Sequence, residues 1–147
     1  MLETFLVLAV ILADQFTKYL SVKYLKPVDS IVVIKDILNF SYVENRGAAF
    51  GILQNKRWLF IILTIIICIA IIYYIYTYRA ASMLLKICLS LILGGALGNL
   101  IDRIRVGYVV DMIHFTFINY PVFNIADISV VIGTILLAYF LLFVDAK

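Results

Sequence analysis

Trp58-Leu59-Phe60-Ile61-Ile62-Leu63-Thr64-Ile65-Ile66-Ile67-Cys68-Ile69-Ala70-Ile71-Ile72-Tyr73-Tyr74-Ile75-Tyr76-Thr77-Tyr78 carries no charged residue. A helix crosses the hydrocarbon core of a bilayer with about 20 mostly apolar residues, so this run is long enough to span. Trp58 opens it and Tyr73, Tyr74, Tyr76 and Tyr78 close it, where aromatic side chains sit at the two membrane–water interfaces. Three other stretches have the same character: about Leu2 to Leu20, about Met83 to Ile101 and about Ile125 to Val144. The composition agrees. The chain is 65% hydrophobic and 14% charged, where soluble domains run about 45–50% and about 25%. The 147 residues are therefore read as one integral membrane domain, an all-α bundle of four transmembrane helices.

The first stretch does not read as a cleaved leader. Its start, Met1-Leu2-Glu3, has no Lys or Arg, and no small-x-small site precedes a mature start, so it is expected to stay as a helix. Only Arg79 to Ser82 separates the second stretch from the third, which makes these two a hairpin. Gly94 and Gly98 stand four apart in the third, where glycines either let helix backbones approach or simply fill space. Cys68 and Cys88 fall inside apolar runs and are expected as buried thiols. One histidine and the absence of CxxC argue against a transition-metal site, and no cofactor is expected. The net charge of +3 is dispersed, without basic runs, so nucleic acid is not an expected partner.

Two segments remain outside the spans, about 21–57 and 102–124. With four spans they lie on the same side of the membrane. Ile31 to Ile34 and Leu38 to Val43 are β-branched and aromatic runs around Lys35-Asp36, which predicts two short strands. Tyr108 to Val110 and Ile113 to Phe115 are strand-like as well. A small β-sheet lying on the membrane surface as a cap is the expectation. Lys18, Lys23, Lys26, Lys35, Arg46, Lys56, Arg57, Arg103 and Arg105 belong to this side, against Arg79, Lys86 and Lys147 on the other. The positive-inside rule would put the cap in the cytoplasm.

An aspartate at the centre of a membrane helix costs about 2.5–3.5 kcal/mol on insertion scales and usually marks function. Span one runs toward the capped side and carries Asp14 and Lys18 in its later part. Span three ends there with Asn99, Asp102 and Arg103, and span four starts there with Asn124 and Asp127. Polar residues of three helices thus converge at one depth, under the sheet. Several have structural explanations. Asp14 and Lys18 are i,i+4 and can pair. Arg103 can neutralise Asp102, or orient a carboxylate or a substrate backbone. Asp127 suits a first helical turn. His114 reads as an interface histidine.

Asp111 and Asp127 are left without an obvious local cation. Two carboxylates brought together share one proton, because like charges at short range cannot both ionise. The ionised one can take a proton from water and the protonated one can donate to a carbonyl oxygen. That is the aspartic-peptidase arrangement. No HExxH or Gly-x-Ser-x-Gly is present. Ser82 and Lys86 are i,i+4, but Ser82 suits a helix N-cap and Lys86 can reach the interface.

Five blocks, in order, resemble the lipoprotein signal peptidases, also called signal peptidase II. They are Asp14-Gln15-Phe16-Thr17-Lys18, Asn45-Arg46-Gly47-Ala48-Ala49-Phe50-Gly51, Gly94-Gly95-Ala96-Leu97-Gly98-Asn99-Leu100-Ile101-Asp102-Arg103-Ile104, Gly107-Tyr108-Val109-Val110-Asp111-Met112-Ile113 and Phe123-Asn124-Ile125-Ala126-Asp127. The resemblance implies a membrane aspartic endopeptidase that removes the signal peptide from diacylglyceryl-modified prolipoproteins, cutting just before the lipidated cysteine, and that globomycin inhibits. It implies Asp111 and Asp127 as the catalytic pair. Asn45, Asn99, Arg103 and Asn124 match positions that line the family's site. Gly47 and Ala126 lie in the same blocks and are grouped with them as supporting residues, and Asp14, Lys18 and Asp102 as structural polar residues. Met112 stands where the family often has an aromatic residue.

The resemblance further implies the bacterial cytoplasmic (inner) membrane, both termini in the cytoplasm and the site near the outer face, against the count of basic residues. Membrane lipid and the prolipoprotein are the implied partners, and a monomer suffices for the site. The Gly47–Gly51 block is expected to close over bound peptide as a lid. Two other classes fit parts of the pattern. A proton-coupled carrier would move charge through Asp14 or Asp127. A scaffold assembling through Gly94 and Gly98 would tolerate asparagine at the aspartates.

Overall fold

The computed structural model describes residues 1–47, 52–78 and 82–144. Helix α1 is Leu2–Leu20 and continues as a wider, π-helical turn, Ser21–Leu25. Strands β1 (Ser30–Ile34) and β2 (Leu38–Asn45) follow, then α2 (Arg57–Thr77), α3 (Met83–Arg105), β3 (Val109–Phe115) and α4 (Ile125–Tyr139). A π-helical turn, Phe140–Val144, extends α4. All four helices are long and apolar enough to cross a membrane.

Helix α3 is the hub, packed against α1, α2 and α4. Its glycines explain why. A Cβ on Gly94 would stand 2.8 Å from the Val10 side chain of α1, and one on Gly98 would stand 2.6 Å from the Asp14 carboxylate. One on Gly95 would strike the carbonyl of Ala126 in α4. In return Gly133 of α4 admits the Cys88 carbonyl of α3, 2.9 Å from where its Cβ would be. In lipid there is no hydrophobic force between helices, so close backbone approach is what holds them. Of the two readings of Gly94 and Gly98, close approach is the one observed. Helix α2 buries only Ile61 and Cys68 and turns the rest of its apolar surface outward, as a lipid-facing helix must. Cys68 and Cys88 are buried and unpaired.

The strands form one antiparallel sheet in the order β1-β2-β3. β3 runs unbroken through Asp111, where the sequence suggested two short runs on either side of it. Val109, Val110, Asp111 and Met112 are all buried, and Asp111 pairs in register with Val43 beyond an irregularity between Phe40 and Val43. Helix α3 also runs past the expected end near Ile101. It stops at Arg105, where Val106 N–H bonds the Asp102 carbonyl at 2.8 Å and Gly107 turns left-handed at φ 89°. The extra turn places Asp102 and Arg103 on a rigid helix and brings β3 back over its end. The expected α2–α3 turn falls on residues 79–81, outside the described ones.

Gly95→Val would force β-carbon and branches into the Ala126 carbonyl and Val130. Overpacking of this kind costs about 1–3 kcal/mol. The detergent-solubilised variant should melt clearly lower than wild type, whereas the lipid-facing Ile66→Val should melt within a degree or so of it.

Candidate active site

Asp14 has no exposed surface and Lys18 has 3%. Neither could stand alone at that depth, because an unpaired buried charge is costly. They are paired. Lys18 Nζ lies 2.8 Å from Asp14 Oδ2 and 3.0 Å from Asp102 Oδ2, and donates to Asn99 Oδ1 at 2.9 Å. An ammonium has three protons, and three acceptors meet it. Asp102 is therefore matched by Lys18 of α1 and not by Arg103 beside it.

Each acid of this triad also holds main chain. Asp14 Oδ1 accepts Ala126 N–H at 3.0 Å, and Asp102 Oδ2 accepts Val110 N–H at 3.1 Å. Ala126 precedes Asp127, and Val110 precedes Asp111. Gln15, quoted within a motif block but given no role from sequence, ties the acids together. Its amide donates to Asp102 Oδ1 at 3.0 Å, Asp14 Oδ2 at 3.2 Å and the Gly98 carbonyl at 3.2 Å. The apolar-looking spacing of α1 concealed it.

Asp111 and Asp127 are approached by three asparagines. Asn124 caps α4 in a reciprocal box: its Oδ1 accepts Asp127 N–H at 2.9 Å, and its own N–H donates to Asp127 Oδ2 at 3.2 Å. Its Nδ2 donates to Asp111 Oδ1 at 2.6 Å. One residue thus touches both carboxylates. Asn99 Nδ2 donates to Asp127 Oδ1 at 2.7 Å, and Asn45 Nδ2 donates to Asp111 Oδ2 at 3.0 Å. Each amide oxygen faces a group that can only donate to it: Lys18 for Asn99, Asp127 N–H for Asn124 and Gly47 N–H for Asn45. The three NH2 groups are consequently turned onto the aspartates.

A cavity of about 340 Å³ is lined by Asn45, Gly47, Asn99, Arg103 and Asp127 among others. An adjoining one of about 450 Å³ is lined by Asp111, Asn45, Arg46 and Tyr120. Asn45 and the Tyr120–Val122 stretch border both, so the two acids face neighbouring halves of one cleft. Arg103 overhangs the first half. Its Nη2 donates to the Gly47 carbonyl at 3.3 Å and its guanidinium stacks 4.9 Å from the Phe60 ring. Ala126 is fully buried and fits by its small size beside Gly98. Among the described residues, no ion pair includes Asp111 or Asp127. Burial pushes the Asp111 carboxyl up to about 7, and the nearby charge of Asp127 adds to it, against the N–H groups of Asn45 and Asn124.

The other sequence candidates fall elsewhere. Ser82 caps α3, accepting Leu85 N–H at 3.2 Å, and Lys86 pairs with Glu3 at 3.6 Å, so they do not form a nucleophilic dyad. His114 meets Ser41 at 3.3 Å on the sheet. Of the expected lid, residues 48–51 lie outside the described ones.

Four membrane-length helices and a strand together hold two asparagine-bonded aspartates beside a cleft, Asp111 buried on β3 and Asp127 half-buried on α4. They define a polytopic membrane protein with a paired-carboxylate site. The family model described as signal peptidase (SPase) II matches residues 6–143, and the chain belongs to that family of peptidases. It is 52% identical to the lipoprotein signal peptidase of Caldanaerobacter subterraneus subsp. tengcongensis over 91% of each chain. It is 51% identical to that of Halothermothrix orenii over 92% of this chain and 91% of the relative. A bacterial membrane enzyme solved by the in meso method at 2.3 Å superposes with a TM-score of 0.89 at 41% identity, covering 95% of this chain and 87% of that one.

The folded protein holds the Asp111 proton up to about pH 7, against a usual value of 3.8. Between those values the folded state binds more protons than the unfolded one, so this contribution to stability is present at the acid end and lost as pH rises through about 7. The melting midpoint of Asp111→Asn relative to wild type should therefore rise between about pH 5 and about pH 8. A difference that stays flat over that range would contradict the protonation assigned to Asp111.

Proposed function

We propose that this protein is an aspartic-type intramembrane endopeptidase that removes the signal peptide from diacylglyceryl-modified prolipoproteins. The bond cut is the one just before the lipidated cysteine, and Asp111 and Asp127 are the catalytic pair. The observation that carries the reading is the bridge through Asn124, whose side-chain amide meets Asp111 at 2.6 Å while its backbone N–H meets Asp127 at 3.2 Å. It brings two acids of different elements to one cleft.

The chemistry follows from one proton shared by two carboxylates. The ionised member removes a proton from water as the water oxygen attacks the scissile carbonyl carbon. The protonated member donates to the carbonyl oxygen, which becomes a hydroxyl of a tetrahedral diol. A proton then passes to the cysteine nitrogen, the C–N bond breaks, and the signal peptide leaves with a new carboxylate. The asparagine N–H groups stabilise whichever carboxylate is charged. Arg103 and Asn45 border the cleft where they can hold peptide carbonyls, and Gly47 braces both, its N–H on Asn45 and its carbonyl under Arg103.

The lipid on the substrate dictates the rest. A diacylglyceryl chain keeps the cysteine at the bilayer, so the bond must be cut at membrane level with water at hand. A site at the outer end of the bundle, with both termini in the cytoplasm of a bacterial cell, meets both needs. β1 exposes Ile31, Val32, Val33 and Ile34 on both of its faces, apolar surface that supports a sheet lying on the membrane. The basic residues on that side can then meet lipid phosphates.

Purified protein should cleave a diacylglyceryl-modified prolipoprotein, and Asp111→Asn and Asp127→Asn should each lower kcat by about 10²–10⁴-fold, the usual contribution of a general acid or base. Cleavage that survives either substitution would remove that residue from the pair. The rate should also fall as pH rises through about 7, the value to which burial pushes the Asp111 carboxyl, as the pair loses its shared proton. A rate still rising at about pH 9 would contradict this.

A further inference from the structure

Lys18 takes no part in the chemistry above, touches neither aspartate of the pair and is buried to 3% exposure. Pairing with one acid would suffice to neutralise it. It instead bonds three groups on two helices: Asp14 at 2.8 Å on its own helix, and Asp102 at 3.0 Å and Asn99 at 2.9 Å on α3. Each leads to the pair. Asp14 holds the N–H of the residue before Asp127, and Asp102 holds the N–H of the residue before Asp111. Asn99 donates to Asp127 itself at 2.7 Å, and only while its oxygen faces Lys18. A flipped Asn99 would turn its oxygen onto the Asp127 carboxylate.

We propose that Lys18 is a positioning residue of the peptidase: one ammonium braces Asp14 against Asp102, and through their hold on Ala126 and Val110 and the pinned amide of Asn99 it fixes how Asp111 and Asp127 face each other. This rests on the aspartic reading of the site. Strand β3 and helix α4 follow one another in the chain with residues 116–124 between them. Besides Asn124 and the Phe123 bonds to Met112 and Ile113, this brace links the segments that carry Asp111 and Asp127. The charged groups around Lys18 are Asp14 and Asp102 in contact, Asp127 beyond Asn99, and Arg105, which lines a cavity with Lys18 and Asp102.

Lys18→Met is the obvious variant, and it leaves Asp14 and Asp102 facing one another without a cation. Asp14→Asn/Lys18→Met/Asp102→Asn is the variant that decides. It removes all three charges while the new amide oxygens can still accept Ala126 and Val110 N–H. If Lys18→Met does not fold, the neutral variant carries the test alone. Both would be assayed on diacylglyceryl-modified prolipoprotein beside wild type and Asp111→Asn, with helical content and melting midpoint recorded. A misplacement of about 1 Å at reacting groups costs about 100-fold in rate. The folded neutral variant should accordingly lose about 100-fold in kcat with KM within about threefold of wild type. A role in folding alone predicts full kcat once charge balance restores the fold. Wild-type kcat in the folded neutral variant would overturn the inference and leave the aspartic reading intact. A wild type that does not cleave, or an active Asp111→Asn, would overturn that reading and this inference with it.

Discussion

A single buried ammonium organises this protein. Lys18 meets the oxygens of Asp14, Asp102 and Asn99 within 3.0 Å, in a region where water is scarce and an uncompensated charge is expensive. Its protons are all used, and Gln15 adds donors to both acids. Charge that would oppose insertion of α1 and α3 singly becomes a reason for the two helices to meet. The same acids then accept N–H groups from α4 and from β3. One polar cluster therefore joins the bundle to the sheet.

Close packing and polar bonding depend on each other here. Gly98 has no Cβ, and so the Asp14 carboxylate can lie against α3. Gly95 lets the start of α4 press onto the same helix, which puts Ala126 N–H within reach of Asp14. A larger residue at either place would separate the donors from the acceptors as well as the backbones. Asp111 and Asp127 are treated differently from the triad. They have N–H donors but, among the described residues, no ion-pair partner, and burial raises the proton affinity of Asp111. A site that must hold a proton ready and give it up cannot be as well compensated as one that only holds structure. The contrast between the two acid groups is the physical basis for assigning them different tasks.

Much of this was legible in the residues. An uncharged run from Trp58 to Tyr78 can hardly be anything but a span, and four spans fix which polar residues share a depth. The pairing of Asp14 with Lys18 follows from i,i+4 spacing. The close approach at Gly94 and Gly98 follows from residue size. What spacing could not reveal was the partner across helices. Arg103 is the neighbour of Asp102 in sequence, yet Lys18 takes that acid because it points into the bundle while Arg103 points into the cleft. The end of α3 was misplaced by a turn, since the charged Asp102-Arg103 pair looked like the edge of the membrane. Gly107, the left-handed residue that ends the helix, was the better signal. β3 was split at Asp111 for a similar reason: one acid in an apolar run resembles a break until the cleft it faces is known. Gln15 looked like one polar residue among apolar ones, and its role appears only with α3 beside it.

Two carboxylates that activate water directly leave a clear chemical record. Single-turnover cleavage of a diacylglyceryl-modified prolipoprotein in oxygen-18 water should place one label in the new carboxylate of the released signal peptide and none in the protein. Label in the side chain of Asp111 or Asp127 would mean that an aspartate attacked the carbonyl and formed an anhydride, and would contradict a water-activating pair.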